Sequence, residues 1–236
     1  MRIDRLTIPA RDPTALSEWY GALFGADSTT DSEPVERSNA DRSTAESTAT
    51  VQLGESILEL TAAETPSPVH VAIRLYCEPA EACNWLAEQA TILPIEGEQS
   101  RYFDFLDATA IYFEDPDGNV LEGLCYVGDP RPVAASRTDR VGGITEIGLP
   151  APEPLGLVEW LEATVGLSAW GSPTETFAWV GHRDSRFVVV PAGRSWYPTD
   201  RSAEIVPISV RLSANSADPG RHSHPKLPYE IIVEQQ

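Results

Sequence analysis

The residues best placed to do chemistry lie in and around segment 111–124, Ile-Tyr-Phe-Glu-Asp-Pro-Asp-Gly-Asn-Val-Leu-Glu-Gly-Leu. Ile111 and Phe113 alternate with Tyr112 and Glu114, the pattern of a half-buried strand. Asp115-Pro116-Asp117-Gly118-Asn119 is a turn cluster, with Pro presetting φ and Gly or Asn accepting a positive φ. Val120, Glu122 and Leu124 then share one face of the returning strand. Glu122 is therefore an acid inside an apolar run. A buried carboxylate without a partner is costly, so this one needs a metal, a cation, a hydrogen-bond donor or water.

The same signal occurs earlier. Ser56-Ile57-Leu58-Glu59-Leu60 matches Asn119-Val120-Leu121-Glu122-Gly123, which makes Glu59 the echo of Glu122. Between the two hairpins lies His70, in the strand pattern of 68–75. Two further histidines, His222 and His224, fall in a Pro-rich polar loop, where a designed metal site is not expected. Tyr102, Tyr112 and Tyr126 are candidates for acids or for packing, and packing is the better reading.

The elements that must position these residues repeat. Pro13-x5-Trp19 recurs as Pro79-x5-Trp85, 66 residues on, and as Pro154-x5-Trp160, 141 residues on; Gly166 matches Gly25 at the same offset. In each copy a strand precedes a helix opened by Pro, which suits the first turn of a helix. In the first copy Leu16, Trp19, Tyr20, Leu23 and Phe24 form one apolar helix face, and the three Trp read as core. The unit is strand, helix, then three strands. Segments 177–181 and 187–191 give the third unit its hairpin. A fourth unit is abbreviated, with strands at 205–212 and 229–233 and no helix pattern between them. Segment 27–49, rich in Ser, Thr, Asp and Glu, reads as an exposed excursion around a weak edge strand.

The fold expected is α+β, with tandem βαβββ modules forming two paired curved mixed sheets. The domains expected are 1–128, holding two modules, and 141–236, a degenerate second pair, joined by a Pro-containing linker at 129–140. At 236 residues the chain is long enough for two such domains.

Composition narrows the function classes. There are 36 acids against 17 bases, a formal net charge of −19. Such a surface repels nucleic acid and anionic membrane. No stretch approaches the ~20 apolar residues of a membrane span, and no secretory signal is visible. Three cysteines, Cys77, Cys83 and Cys125, lack metal-type pairing and read as reduced thiols, so a cytoplasmic location is expected. Lys226 is the only lysine; lysine scarcity with acid excess resembles a halophilic archaeal protein. No phosphate loop, nucleophile elbow or Cys-x-x-Cys pair occurs.

Tyr112-Phe113-x-Asp115-Pro116-Asp117-Gly118-Asn119-x-x-Glu122 resembles the closing hairpin of the vicinal oxygen chelate superfamily. Glyoxalases, extradiol dioxygenases, epimerases and bleomycin-type resistance proteins belong to it. The resemblance covers nearly the whole chain and implies paired units enclosing a cup, with ligands from the first and last strands of each unit. It implies Glu122, Glu59 and His70 as metal ligands. At the position in unit one that corresponds to His70 stands Arg5, where metal-binding relatives usually carry His or Gln. Arginine is always charged and cannot coordinate a metal. It either pairs with Glu59 or clamps a substrate carboxylate. Glu122 and Arg5 are thus the expected catalytic groups.

One imidazole and two carboxylates suit iron, manganese, zinc or nickel. The function implied is a metal-dependent isomerase, lyase or ring-cleaving dioxygenase acting on a small molecule with vicinal oxygens. The alternative is a metal-free binding protein of the bleomycin-resistance type. The second half shows Glu146 in its first strand and Val188 to Val190 in its last, from which no metal set can be assembled. Its Trp170, Trp179, Trp196 and Tyr197 imply an apolar surface, for packing on the first half or for a homodimer.

Overall fold

The computed structural model describes residues 1–31, 47–130, 136–215 and 217–235. Most of the polar excursion (32–46) and part of the linker (131–135) therefore lie outside the described residues.

The first unit runs β1 (Arg2–Ala10), α1 (Pro13–Phe24), β2 (Ser28–Asp31), β3 (Thr48–Leu53) and β4 (Ser56–Ala62). The second is β5 (His70–Leu75), α2 (Pro79–Leu86), β6 (Thr91–Leu93), β7 (Arg101–Phe103), β8 (Ala108–Glu114) and β9 (Val120–Tyr126). The third is β10 (Val141–Ala151), α3 (Pro154–Trp160), β11 (Ala169–Trp170), β12 (Ala178–His182) and β13 (Ser185–Pro191). The fourth has β14 (Ile208–Ser213), β15 (Gly220–Ser223) and β16 (Tyr229–Glu234), with no helix among its described residues. The loop expected around His222 is thus in part a strand. His222 pairs with Ile231 across it, and His224 packs edge-on to Trp160.

Local chemistry explains the helices. Asp12 caps α1 through a 3.0 Å bond from the Ala15 N–H, and Pro13 fills the first turn. Gly25 closes it at φ 67°, a left-handed conformation that glycine adopts without a steric penalty. Pro79 and Pro154 open α2 and α3 in the same way. Trp85 is buried and donates its indole N–H to the Leu23 carbonyl at 2.7 Å, locking α2 to α1. Trp19 and Trp160 are only half-buried and pack on the edge of the core.

In every unit the first and last strands are parallel neighbours: β1 with β4, β5 with β9, β10 with β13, and β14 with β16. Units then join through antiparallel pairs of first strands. Sequence order had placed units one and two side by side. The structure instead pairs β1 with β14 and β5 with β10. One sheet therefore holds units one and four, and the other holds units two and three. The physical reason lies in the edges. A first strand has one free edge opposite its own last strand, and that edge is filled antiparallel by β14 for β1 and by β10 for β5, each pairing with a bulge.

A large apolar core, including Ile3, Leu6, Val71, Ile73, Ile147 and Leu149, lies between the sheets and helices. Among the described residues, no helix is long and apolar enough to cross a membrane. The concave faces differ sharply. That of the first sheet is polar, carrying Arg5, Thr7, Glu59, Ser209 and Arg211 at adjacent register positions. That of the second is lined by a separate apolar cluster containing Tyr112, Val188, Val190 and Trp196.

Candidate metal centre

Alternation along β5 turns His70 and Ala72 into the second cup, and alternation along β9 turns Val120 and Glu122 the same way. His70 pairs with Val120, and Ala72 with Glu122. Across the unit boundary Ala72 also pairs with Glu146 of β10. A small residue thus sits between two carboxylates, and the three donors converge. The ligand atoms of His70, Glu122 and Glu146 all lie within 4.8 Å of one another, and all three residues are buried.

The expected partner Glu59 is not among them. It lies on the first sheet, where Arg5 Nη1 donates to it at 3.1 Å and the Thr7 hydroxyl at 3.0 Å. The placement of units decides this, because Glu59 and Glu122 occupy equivalent positions in different sheets. Arg5 is likewise remote from His70, so the cup that holds His70 and Glu122 contains no Arg5 clamp. The second half, in which no complete metal set was expected, brings Glu146 beside His70 and Glu122. Its signal was legible: Glu146 is a lone acid in an apolar strand, the same cue that singled out Glu122.

His70 is held in a defined tautomer. Its Nδ1 lies 3.1 Å from the Val120 carbonyl oxygen, which can only accept, so Nδ1 carries the proton. Nε2 then presents its lone pair toward Glu122 Oε2, 3.5 Å away. Burial pushes the imidazole pKa down to about 4, and the nearby Arg186 charge adds to that. His70 is neutral at pH 7. Burial pushes the Glu122 carboxyl up to about 7, opposed by the Tyr112 hydroxyl and by Arg186. Tyr112, raised well above its ordinary value first by burial and then by the Glu122 charge, stays protonated and donates to Glu122.

Glu146 has a cationic partner. Arg186 of β13, fully buried, pairs with it through Nη2 and donates Nη1 to the Arg183 carbonyl and the Tyr126 hydroxyl. Its guanidinium lies over the rings of Trp170 and Trp179, 5.3 and 5.7 Å from their centroids. Stacking and packing hold the charge where it is. The next cup-facing residue of β13 is Val188, opposite Gly148. Val188 occupies the place where a second last-strand carboxylate would stand, which leaves His70, Glu122 and Glu146 as the candidate ligands.

The donor set fits a divalent metal. Ligands ~2.0–2.2 Å from one ion stand no more than ~4.4 Å apart, and the observed spread of 4.8 Å or less needs only small side-chain rotations. A histidine with its distal nitrogen tied to a carbonyl is prearranged to ligate. Glu146 pairs directly with Arg186, whereas Glu122 is met by the Tyr112 hydroxyl and the His70 imidazole, and burial raises its pKa despite the Arg186 charge. One imidazole and two carboxylates leave coordination positions open toward the cavity.

That cavity measures about 280 Å³. Its floor is His70, Glu122 and Glu146, and aromatic side chains supply the walls: Phe105, Phe177, Trp179, Trp196 and Tyr197 among them. Trp196 lies 5.5 Å from His70 between ring centroids, and its indole donates to the Pro68 carbonyl at 3.2 Å. Arg201, in the same loop, pairs with Glu114 at the end of β8. The segment after β13 therefore closes one side of the cup. Its Trp-Tyr-Pro run was read from sequence only as apolar surface.

The chain aligns along almost its whole length with solved structures of one architecture. A candidate dioxygenase from Bacillus subtilis superimposes with a TM-score of 0.60 at 15% identity, covering 99% of this chain and 85% of that one. The fold is that of the vicinal oxygen chelate proteins. Glyoxalase I from Zea mays gives a TM-score of 0.55 at 14% identity over 89% of this chain and 74% of its own. A variant of the maize enzyme gives 0.56 at 11% identity over 99% and 93%. No protein-family model and no curated protein sequence matches the chain. At these identities the likeness concerns the fold, and the site must be judged on its own residues.

Proposed function

We propose that this protein is a metal-dependent enzyme acting on a small molecule with two adjacent oxygens, within the isomerase, lyase or ring-cleaving dioxygenase range of the fold. The observation that carries it is the convergence of His70, Glu122 and Glu146 at the base of an aromatic cavity. His70, Glu122 and Glu146 would hold iron, manganese, zinc or nickel. Such an ion supplies Lewis-acid stabilisation of negative charge on a bidentate oxygen pair. The chain's own residues do the rest. Val120 fixes the His70 ring, Tyr112 orients the Glu122 carboxylate, and Arg186 holds Glu146. His70, Glu122 and Glu146 are buried at the floor, where polar interactions are stronger than in water.

One observation favours a second reading, a metal-free binding protein of the bleomycin-resistance type: Arg186 already neutralises Glu146. Elemental analysis separates the two. The protein is purified in high salt without affinity-tag histidines. A transition metal at one equivalent, lost in His70→Ala and in Glu122→Ala, supports the enzyme. Absence of metal, with stability unchanged by chelator, sinks it. The high-salt buffer follows from the acid excess, which supports a chain adapted to concentrated salt, where screening removes self-repulsion.

A further inference from the structure

The floor of the cavity accounts for a pair of ligand oxygens, but not for Arg194. This residue lines the cavity from the loop after β13 and is exposed there. Its guanidinium is positioned, not loose: Nη1 donates to the Thr176 carbonyl at 2.8 Å, and the group lies over the Phe177 ring, 5.6 Å from the centroid. In a chain with 36 acids against 17 bases, arginines readily find carboxylates. Arg74, Arg101, Arg137, Arg140, Arg201 and Arg211 all do. Arg194 has no carboxylate partner among the described residues. Beside it, Trp179 lines the same cavity with a buried indole N–H that lacks an acceptor. A cavity-lining guanidinium without a carboxylate partner, and an indole N–H without an acceptor, favour a ligand that brings oxygens of its own.

We propose that Arg194 selects ligands bearing a carboxylate at the end remote from the oxygens facing His70, Glu122 and Glu146. The substrate class is an apolar or aromatic acid whose body lies against Phe105, Phe177, Trp179 and Trp196. A guanidinium binds a carboxylate through charge-assisted, often paired, hydrogen bonds. An uncharged amide of the same shape loses the charge but keeps the wall contacts. This rests on the reading of the cavity as the substrate site, but it does not require the metal.

The test is calorimetric titration of 3-phenylpropionate and 3-phenylpropionamide into the protein as purified, and again after chelation. The acid is expected to bind at least about tenfold more tightly than the amide. Arg194→Gln should abolish that ratio by weakening the acid alone, and Arg194→Lys should restore part of it. An unchanged ratio in Arg194→Gln, equal weakening of both ligands, or no saturable heat from either ligand overturns the assignment. Metal content is measured on the same samples. Metal retained with an unaffected ratio removes the role of Arg194 alone; metal absent with the ratio intact removes the metal-enzyme reading alone.

Discussion

His70 Nε2 lies 3.5 Å from Glu122 Oε2, while Nδ1 of the same ring is 3.1 Å from the Val120 carbonyl oxygen. Nδ1 donates the only ring N–H of the neutral imidazole to that carbonyl, so two acceptors face each other unless Glu122 is protonated or a cation lies between them. A buried pair of this kind is poised to bind either a proton or a metal ion. Removing either residue should abolish tight metal binding. His70→Ala and Glu122→Ala, and Glu146→Ala with them, are expected to lower zinc or cobalt affinity by at least about tenfold. Glu59→Ala should leave it unchanged, because Glu59 belongs to the other sheet. Competition with a chromogenic chelator reads all four.

Metal affinity should depend on pH through Glu122. His70 is already neutral above about pH 4. Glu122, held up to about 7 by burial, must lose its proton to ligate. Affinity is therefore expected to rise through pH 7 with release of about one proton per metal bound. Calorimetry in buffers of different ionisation enthalpy measures that proton. A pH-independent affinity between 6 and 8 would contradict the assignment of Glu122.

The metal-free protein carries a compensating pair. The folded pKa of His70 is depressed, so its contribution to stability is present above 6.5 and is lost as pH falls toward about 4. That of Glu122 is raised, so its contribution is present below 4.5 and is lost as pH rises through about 7. Between about 4.5 and 6.5 the two slopes oppose. His70→Gln should leave the Glu122 slope alone, so that its stability falls as pH rises across that window while the parent's stays nearly flat. Urea denaturation at several pH values distinguishes the two profiles.

Arg186 is fully buried beside an almost equally buried Glu146. Arg186→Met leaves that carboxylate without its counter-ion and is expected to cost about 3–5 kcal/mol in denaturant titrations. Adding Glu146→Gln should recover a large part of the loss. Zinc should stabilise Arg186→Met more than the parent, since binding to the folded state raises its stability by mass action.

Gly148 faces the cup beside His70. A Cβ there would clash with the Trp196 indole at Cη2 and Cζ2 and lie 3.1 Å from His70 Cβ. Gly148→Ala should therefore displace Trp196 from the cavity wall, at a cost of about 1–3 kcal/mol. A shifted Trp emission spectrum, with the far-ultraviolet signal unchanged, would register the displacement. The backbone at Gly148 is ordinary, so the effect is one of space.

Sequence periodicity determined much of this protein. Period-two alternation and the three Pro-x5-Trp copies set the units, because strands and Pro-opened helices are local consequences of local chemistry. The turn at Asp115 to Asn119 was legible for the same reason. Asp115 accepts from the Asn119 N–H at 2.9 Å and from the Asp117 N–H at 3.0 Å, bonds that span at most four residues. Glu122 could be named because an acid in an apolar strand demands a partner, and His70 because the repeat places it at a first-strand position.

Which partner they have is a long-range matter that no local pattern encodes. Glu59 and Glu146 are both acids in apolar strands, and the repeat favoured Glu59, the echo of Glu122. The pairing of β5 with β10 brought Glu146 to His70, while Glu59 stayed with Arg5 of its own unit in the other sheet. That choice reflects complementarity between strand edges more than 60 residues apart, combined with the apolar faces each sheet buries. The sequence determined the units and the polar residues in them; the tertiary pairing of units decided which of those residues form one site.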